Sequence, residues 1–299
     1  MGEISINPKF NIHETYKKVR ILNPYRNGGS AENPLYNNIK ECYALRRIKA
    51  SGVNSVRIER TSDNLETDVI LPVNYTDFIS LDSEVSAGGT LGNWIGSSSA
   101  ILKKFYGQKG YKDLLTTTGT LFYLIISGAL QKINGNAAFT AIDAGGAGFR
   151  APLFNGGASI QNASLFGVYE SFYIYQANRA FGFGNYDYDS SSSRVHWNVA
   201  SDNSLRFDGG ALTGNSIPPE VGVKVRTTIK NGDYYSDFIN NSQNIAPTAL
   251  LGTDIIDSLY IAPRIYRNLN FSELIVFLTD ESANRSAIET EINSVHNIY

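Results

Sequence analysis

Apolar and polar residues alternate in several short segments of the chain, and this pattern predicts β-strands. In residues 55–60, Val56 and Ile58 alternate with charged residues, as in a strand with one buried face. Residues 121–126 are strongly apolar, which indicates a strand in the centre of a sheet. Asn231 and Gly232 separate two such segments and predict a tight hairpin turn. Further strands are predicted over residues 68–71, 101–106, 137–142, 164–169, 194–199, 204–207, 221–230, 234–240 and 274–278.

Helical spacing of apolar residues occurs at two places. A helix is predicted within residues 35–49, where the residues at this spacing are Ile39, Cys42, Leu45 and Ile48. A second helix is predicted at the C-terminal end, capped by Thr279 or Asp280, and its apolar face comprises Ile288, Ile292, Val295 and Tyr299. Residues 91–95 indicate a turn or a short helix.

The number and order of these elements predict the fold class. Many strands, few helices and no strand–helix–strand alternation favour an antiparallel β-sandwich. The 18 Tyr and 15 Phe residues agree with this, because aromatic rings pack well on the surface of a sheet. We therefore expect a mostly β domain over residues 39–299, with the C-terminal helix docked on it.

Residues 1–38 differ from the rest of the chain. Asn-Pro pairs at residues 7–8, 23–24 and 33–34, with the Asn-Gly-Gly-Ser stretch at residues 27–30, favour an extended segment. Apolar residues such as Phe10, Tyr16 and Tyr25 suit a segment that becomes ordered against a partner. We expect an N-terminal arm used for anchoring or assembly; a disordered terminus is the alternative.

Charge and cysteine content narrow the function classes. The net charge is −2 and no cluster of Lys and Arg is present, so we expect no nucleic-acid partner. No apolar run is long enough to span a bilayer, and we expect no membrane partner. Cys42 is the single cysteine and is predicted to be a buried structural thiol. The histidines lack ligand partners at useful spacing, so no metal and no cofactor are expected.

Tyrosines and two aspartates form the candidate ligand-binding set. An exposed Tyr offers a flat apolar face and a hydroxyl group, which suits stacking on a sugar ring. On an extended segment, Asp187 and Asp189 would share one face at roughly 7 Å. A solvated loop is the favoured interpretation of this acidic pair, with a cation site and catalysis as the alternatives. We assign no catalytic residue, and the candidate ligand-binding residues are Tyr173, Tyr175, Tyr186, Asp187, Tyr188 and Asp189.

Residues 43–48 read Tyr-Ala-Leu-Arg-Arg-Ile, and residues 56–64 follow with Val-Arg-Ile-Glu-Arg-Thr-Ser-Asp-Asn. In order and spacing these two segments resemble the opening of concanavalin A-like or laminin-G-like domains. The group includes the catalytic domain of fungal-type α-L-arabinofuranosidase B and domains of bacteriophage virion proteins, notably in phages of Bacteroidetes. The resemblance implies a concanavalin A-like jelly roll. Further similar segments are residues 102–113, 130–135, 137–143, 272–277 and 280–299.

Two departures from the family pattern bear on function. The chain has Gly-Gln-Lys-Gly at residues 107–110, where the pattern has Asp-Gln-Ser-Gly. It also has Arg179 and Ala180 where the arabinofuranosidases carry two adjacent cysteines. The catalytic carboxylates of those enzymes align with no residue here. The sequence therefore predicts a protein that is not an enzyme.

The resemblance and the arm together predict a structural protein of a phage virion, such as a head fibre, tail fibre or capsid decoration. Its expected partners are other virion proteins, further copies of the chain and a glycan of the host surface. We expect the protein in the extracellular particle after synthesis in the host cytoplasm. The alternatives are a glycoside hydrolase of α-L-arabinofuranosidase type and a secreted carbohydrate-binding module.

Overall fold

The computed structural model divides the chain into two units, residues Met1–Ala31 and Glu32–Tyr299, and only the second contains described residues. Phe10, Tyr16 and Tyr25, which we expected to anchor the arm, lie outside the described part of the chain. The described residues are 32–116, 121–142, 149–152, 160–172, 178–184, 194–199, 205–207, 221–249, 258–264 and 269–299.

Strands dominate the described residues. The first ten are β1 (Ile39–Ala44), β2 (Asn54–Arg60), β3 (Glu66–Ile70), β4 (Ala100–Phe105), β5 (Leu114–Thr116), β6 (Leu121–Ile126), β7 (Ala129–Leu130), β8 (Lys132–Ile133), β9 (Asn136–Ala137) and β10 (Phe139–Ile142). They are followed by β11 (Phe149–Pro152), β12 (Asn162–Ser171), β13 (Asn178–Gly184), β14 (Arg194–Val199), β15 (Leu205–Phe207), β16 (Gly222–Asn231), β17 (Tyr234–Ile239), β18 (Ser242–Ala249), β19 (Ser258–Arg264) and β20 (Leu269–Phe277). A 3₁₀ helix covers Pro34–Tyr36, and the α-helices are α1 (Leu91–Ile95) and α2 (Arg285–His296).

The strands pair antiparallel in two connected sheets, apart from β8 and β9, which pair with each other in a separate two-stranded sheet. One sheet has the order β1-β20-β12-β16-β17-β18. The other runs β3-β2-β4-β5-β11-β19-β13-β14-β15. Strands β6 and β10 connect them, because β10 pairs with β20 and β6 pairs with β4. The predicted antiparallel β-sandwich is confirmed, and the hairpin at residues 231–232 joins β16 to β17 with Gly232 at φ 60°.

Apolar side chains of both sheets form the central core. Phe105 from β4, Phe139 from β10 and Phe271 from β20 are fully buried there, with ring centroids 5.1–6.3 Å apart. Val56 and Ile58 are also fully buried in this core, as the alternation in β2 predicts. Burying a large apolar side chain stabilises the fold by about 1.5–3 kcal/mol. The core therefore accounts for the aromatic-rich composition.

The C-terminal helix packs on the outer face of the first sheet. Ile288 and Ile292 of α2 are fully buried against residues such as Phe166 and Ile275. The prediction is wrong at both ends of the helix. It begins at Arg285, and Tyr299 lies beyond its end with 52% of its surface exposed.

The late start of α2 has a local cause. The side chain of Thr279 bonds the carboxylate of Glu281, and the backbone N–H of Glu281 donates to the hydroxyl of Ser164 at 2.9 Å. These bonds hold residues 279–281 in a connection against β12 instead of in a first helical turn. Side-chain bonds of this kind compete with helix formation.

The helix predicted within residues 35–49 is also wrong. Residues 39–44 form β1, which pairs with β20 and has nearly all its side chains buried. Its alternate side chains enter different apolar clusters, with Tyr43 in the central core and Cys42 in the cluster below α2. A strand buried on both faces lacks the alternation that identifies a half-buried strand, so its apolar residues matched a helical spacing by coincidence.

Candidate functional site

The loop of residues 107–113 follows the edge of β1 that faces away from β20. The N–H of Gln108 donates to the carbonyl of Cys42 at 3.0 Å. The buried amide of Gln108 accepts from the N–H of Ile48 at 2.7 Å and donates to the carbonyl of Arg46 at 2.7 Å. This side chain therefore bonds the backbone of the segment that follows β1. The loop is therefore fixed to the sheet.

Glu41 of β1 organises the same loop through its carboxylate. The carboxylate accepts the N–H groups of Lys109 and Tyr111, both at 2.7 Å, and that of Lys112 at 3.4 Å. It also accepts the N–H of Cys42 at 3.0 Å. Burial raises the pKa of Glu41 above its ordinary value, and the N–H bonds act in the opposite direction.

Gly107 is required by this arrangement. A Cβ atom at residue 107 would lie 2.5 Å from the Glu41 carboxylate and 2.5 Å from the carbonyl oxygen of Lys112. The families that the sequence resembles have an aspartate at this position. In this chain the loop is bonded to the carboxylate of Glu41, and glycine at residue 107 leaves room for that carboxylate. The sequence alone could not reveal the contact between Glu41 and this loop, because Glu41 lies 68 residues before Lys109.

A surface depression of about 420 Å³ borders this loop. It lies where β1 begins and β20 ends. The ammonium of Lys40 is 3.3 Å from the centroid of the Tyr111 ring, and that of Lys109 donates to the carbonyl of Ile39 at 2.5 Å. The lining residues are Asn38, Ile39, Lys40, Lys109, Gly110, Tyr111, Leu278 and Thr279.

A buried ion pair joins β16 and β17. Arg226 and Asp237 are fully buried, and Nη2 of Arg226 lies 2.8 Å from Oδ2 of Asp237. Thr228 and Asn244 donate to the same carboxylate at 2.9 and 2.7 Å. Burial raises the pKa of the neighbouring Tyr169 to about 12. Because the cluster has no exposed surface, its role is to fix these strands rather than to contact a ligand.

A second buried network connects the 3₁₀ helix, the sheet and α2. Arg46 bonds Glu273 at 2.7 Å and Glu291 at 3.1 Å, and the Tyr36 hydroxyl also donates to Glu291. The Nε2 atom of His296 lies 3.4 Å from Glu273. Burial raises the pKa of Glu273, but Arg46 and His296 outweigh this and lower it to about 2. The network holds α2 on the sheet.

The candidate ligand-binding residues from the sequence lie outside the described residues: Tyr173, Tyr175, Tyr186, Asp187, Tyr188 and Asp189. Along the chain, Tyr173 is two positions after the end of β12 at Ser171, and Tyr186 is two positions after the end of β13 at Gly184. Glu170, near the end of β12, is a described carboxylate in this part of the sequence. It accepts a bond from the amide of Asn270 at 2.9 Å and is half-buried.

The predicted state of Cys42 is confirmed. The thiol is fully buried, and burial raises its pKa well above the ordinary value, so the reactive thiolate is disfavoured. Across the described ranges, no group of three or more His, Cys, Asp or Glu residues is placed to hold a metal ion. Of the helices in these ranges, none has the length and apolar content that crossing a bilayer requires.

Comparisons with known proteins identify the fold. No protein-family model and no curated protein matches the sequence. A GH54 α-L-arabinofuranosidase soaked with a cyclic sulfate inhibitor matches with a TM-score of 0.59 and 15% identity, over 88% of this chain and 63% of that chain. A glutamate-to-glutamine mutant of a GH54 α-L-arabinofuranosidase, soaked with 4-nitrophenyl α-L-arabinofuranoside, gives the same values. A Trypanosoma rangeli sialidase in complex with sialic acid matches with a TM-score of 0.47 and 8% identity, over 64% of this chain and 32% of that chain.

The chain is a mostly β, antiparallel sandwich of the fold seen in the arabinofuranosidase structures, and it spans 63% of their length. At 15% identity this likeness establishes the fold and confirms that part of the resemblance seen in the sequence. The prediction that the chain is not an enzyme is contradicted, because the matched structures are those of glycoside hydrolases. The absence of carboxylates that align in sequence was too weak a ground for that prediction.

Proposed function

We propose that this protein acts on carbohydrate as a glycoside hydrolase of α-L-arabinofuranosidase type. The observation that supports the proposal is the structural match to arabinofuranosidases over 88% of the chain. A match of this extent exceeds what one shared motif would give. Fold alone does not define chemistry, and the site must supply it.

Glycoside hydrolysis generally uses two carboxyl groups, about 5–5.5 Å apart in retaining enzymes and about 6.5–9.5 Å apart in inverting ones. Asp187 and Asp189 are our first candidates, because two residues separated by one position on an extended segment lie roughly 7 Å apart. Glu170 is the third candidate, since its carboxylate is half-buried and held by Asn270. The tyrosines that flank these positions in sequence would supply stacking surfaces for the sugar.

The test is hydrolysis of 4-nitrophenyl α-L-arabinofuranoside by the full chain. We expect turnover that falls at least 100-fold in Asp187→Asn, Asp189→Asn or Glu170→Gln, because loss of a catalytic carboxylate removes acid–base or nucleophilic chemistry. Asp82→Asn, in the exposed turn before α1, is the matched control and should keep full activity. Absence of turnover on furanosides and pyranosides alike would refute the proposal.

Our second proposal is that this domain works as a component of a phage particle. The similarity of residues 43–48 and 56–64 to virion domains supports it, together with the composition of the N-terminal arm. In that setting the partners are other virion proteins, copies of this chain and a host-surface glycan. Mass spectrometry of purified particles tests it: the chain should be present at a stoichiometry of several copies per particle, and its absence would refute the proposal.

A further inference from the structure

The depression beside the 107–113 loop contains the ammonium group of Lys109, which forms no ion pair with a described carboxylate. Lys109 is exposed, and its ammonium gives one of its three N–H bonds to the carbonyl of Ile39. Among the described residues, no carboxylate lies within 4 Å of this ammonium, in contrast to the ion-paired lysines Lys49, Lys103 and Lys104. Lys109 therefore has N–H groups available to an anionic ligand.

The second cation of the depression is held in place by an aromatic ring. The Lys40 ammonium stands 3.3 Å from the centroid of Tyr111, a contact that limits the movement of both side chains. Glu41 fixes the backbone on both sides of Gly110, because it accepts the N–H groups of Lys109 and Tyr111. The two cations are thus presented by a preorganised loop, which lowers the entropic cost of binding.

The remaining walls indicate the kind of molecule that fits. Ile39 and Leu278 give the depression an apolar part, and Asn38 and Thr279 are exposed polar residues at its border. A sugar ring has apolar C–H faces and hydroxyl groups at its edge, so it matches this mixture. The overall charge of −2 and the absence of a basic cluster disfavour a nucleic acid as the anionic ligand.

We propose that this depression binds the carboxylate of a uronic-acid unit in a glycan, with Lys109 and Lys40 as the cationic contacts. The inference rests on the proposed function in that it takes the ligand to be a carbohydrate. It adds that the glycan is acidic, and it places a binding subsite at a defined position on the sandwich. Both oxygens of Glu41 accept backbone N–H groups, so the loop compensates the negative charge beneath the subsite.

The test compares two forms of one ligand by calorimetry with the full chain: an oligogalacturonate and the same oligosaccharide after reduction of its carboxyl groups. We expect the acidic form to bind at least tenfold more tightly, and this preference to shrink between 50 and 500 mM salt because the contact is ionic. Lys109→Gln should remove most of the preference and Lys109→Arg should keep it. Lys132→Gln, an exposed lysine on β8, is the control and should behave as the wild type.

Equal affinity for the two ligands, or an unchanged preference in Lys109→Gln, would overturn the subsite. Circular dichroism of each variant ensures that a loss of binding is not a loss of fold. The outcome is separable from that of the proposed function. Hydrolysis of 4-nitrophenyl α-L-arabinofuranoside without a preference for the acidic ligand leaves the proposed function intact and refutes the subsite. A preference for the acidic ligand without hydrolysis supports the subsite and refutes the hydrolase.

Discussion

Replacing Gly107 by alanine tests whether Glu41 organises the 107–113 loop. The new methyl group would lie 2.5 Å from the Glu41 carboxylate and from the carbonyl oxygen of Lys112. Gly107 is not among the glycines with positive φ, so the backbone itself tolerates a side chain. The cost of the substitution is therefore steric, and it falls on the carboxylate and on the loop that the carboxylate holds.

The size of the effect follows from the contacts that must move. Overpacking a close-packed site costs about 1–3 kcal/mol. If the carboxylate moves away, the bonds from Tyr111 and Lys112 lengthen, and each hydrogen bond to a charged group contributes about 1.5–3 kcal/mol. We expect a loss of about 3–5 kcal/mol in the free energy of unfolding, which lowers Tm by roughly 10 °C in a domain of this size.

Urea unfolding followed by circular dichroism measures this loss, with Gly110→Ala as the matched control. Gly110 has φ 77° and open space around it, so alanine there meets only backbone strain of about 1–2 kcal/mol. In the double variant Gly107→Ala with Glu41→Ala the contact with the carboxylate disappears and only the one with the Lys112 carbonyl remains, so the two effects should not add. Gly107→Asp should likewise be tolerated better with Glu41→Ala than without it, because an aspartate can then occupy the vacated space.

Two results would refute the reasoning. A Gly107→Ala variant that is no less stable than Gly110→Ala would mean that the 107–113 loop can rearrange at little cost in free energy. Additive losses in the double variant would mean that Glu41 and residue 107 do not share a site.

Three further predictions concern the buried charges and the arm. The pKa of Glu273 falls from 4.5 in the unfolded chain to about 2 in the folded protein, so its ionised form contributes about 3 kcal/mol to the free energy of unfolding above pH 4.5, and this contribution is lost as the pH falls through 2. Urea unfolding measured from pH 6 to pH 2 should show this loss in the wild type and not in Glu273→Gln. Asp237→Asn should cost about 3–5 kcal/mol in urea unfolding because it removes the negative charge opposite the buried Arg226, and the exposed Asp233→Asn should cost under about 0.5 kcal/mol. Deleting residues 2–31 should leave the melting curve unchanged and abolish the oligomers seen by light scattering, and normal oligomers in this variant would contradict the assembly role. Deleting residues 2–36 should lower Tm, because it also removes the buried Tyr36.

The parts of the fold that the sequence predicted are those with a local pattern. The alternation in β2 and the Asn-Gly turn before β17 each depend on residues adjacent in the chain, and both are confirmed. Strand β1 was missed because its partner β20 covers it from the far end of the sequence, so no local period identifies it. The start of α2 was misplaced for a similar reason, since Ser164 of β12 binds the segment that precedes the helix.

In the candidate site, too, local sequence features could be predicted and contacts between distant parts of the chain could not. The sequence marks residues 107–110 as a departure from the family pattern, because the aspartate expected there is a glycine. It could not identify Glu41 as the group that holds this loop, because their contact exists only after β1 and the loop come together. The tyrosines and aspartates at residues 173–189 stay a prediction that the activity assays test.

The pairing of β1 with β20 has a consequence for how the protein is made in the cell. Arg46 lies two residues after the end of β1, and its partner Glu273 is 227 residues further along the chain. Until that stretch has left the ribosome, β1 offers an unpaired edge and Arg46 has no counter-ion. Contacts of such long range slow folding and expose intermediates to aggregation. The nascent chain is therefore expected to depend on chaperones up to its last strand, and a product interrupted before residue 269 should be degraded rather than accumulate as a smaller domain.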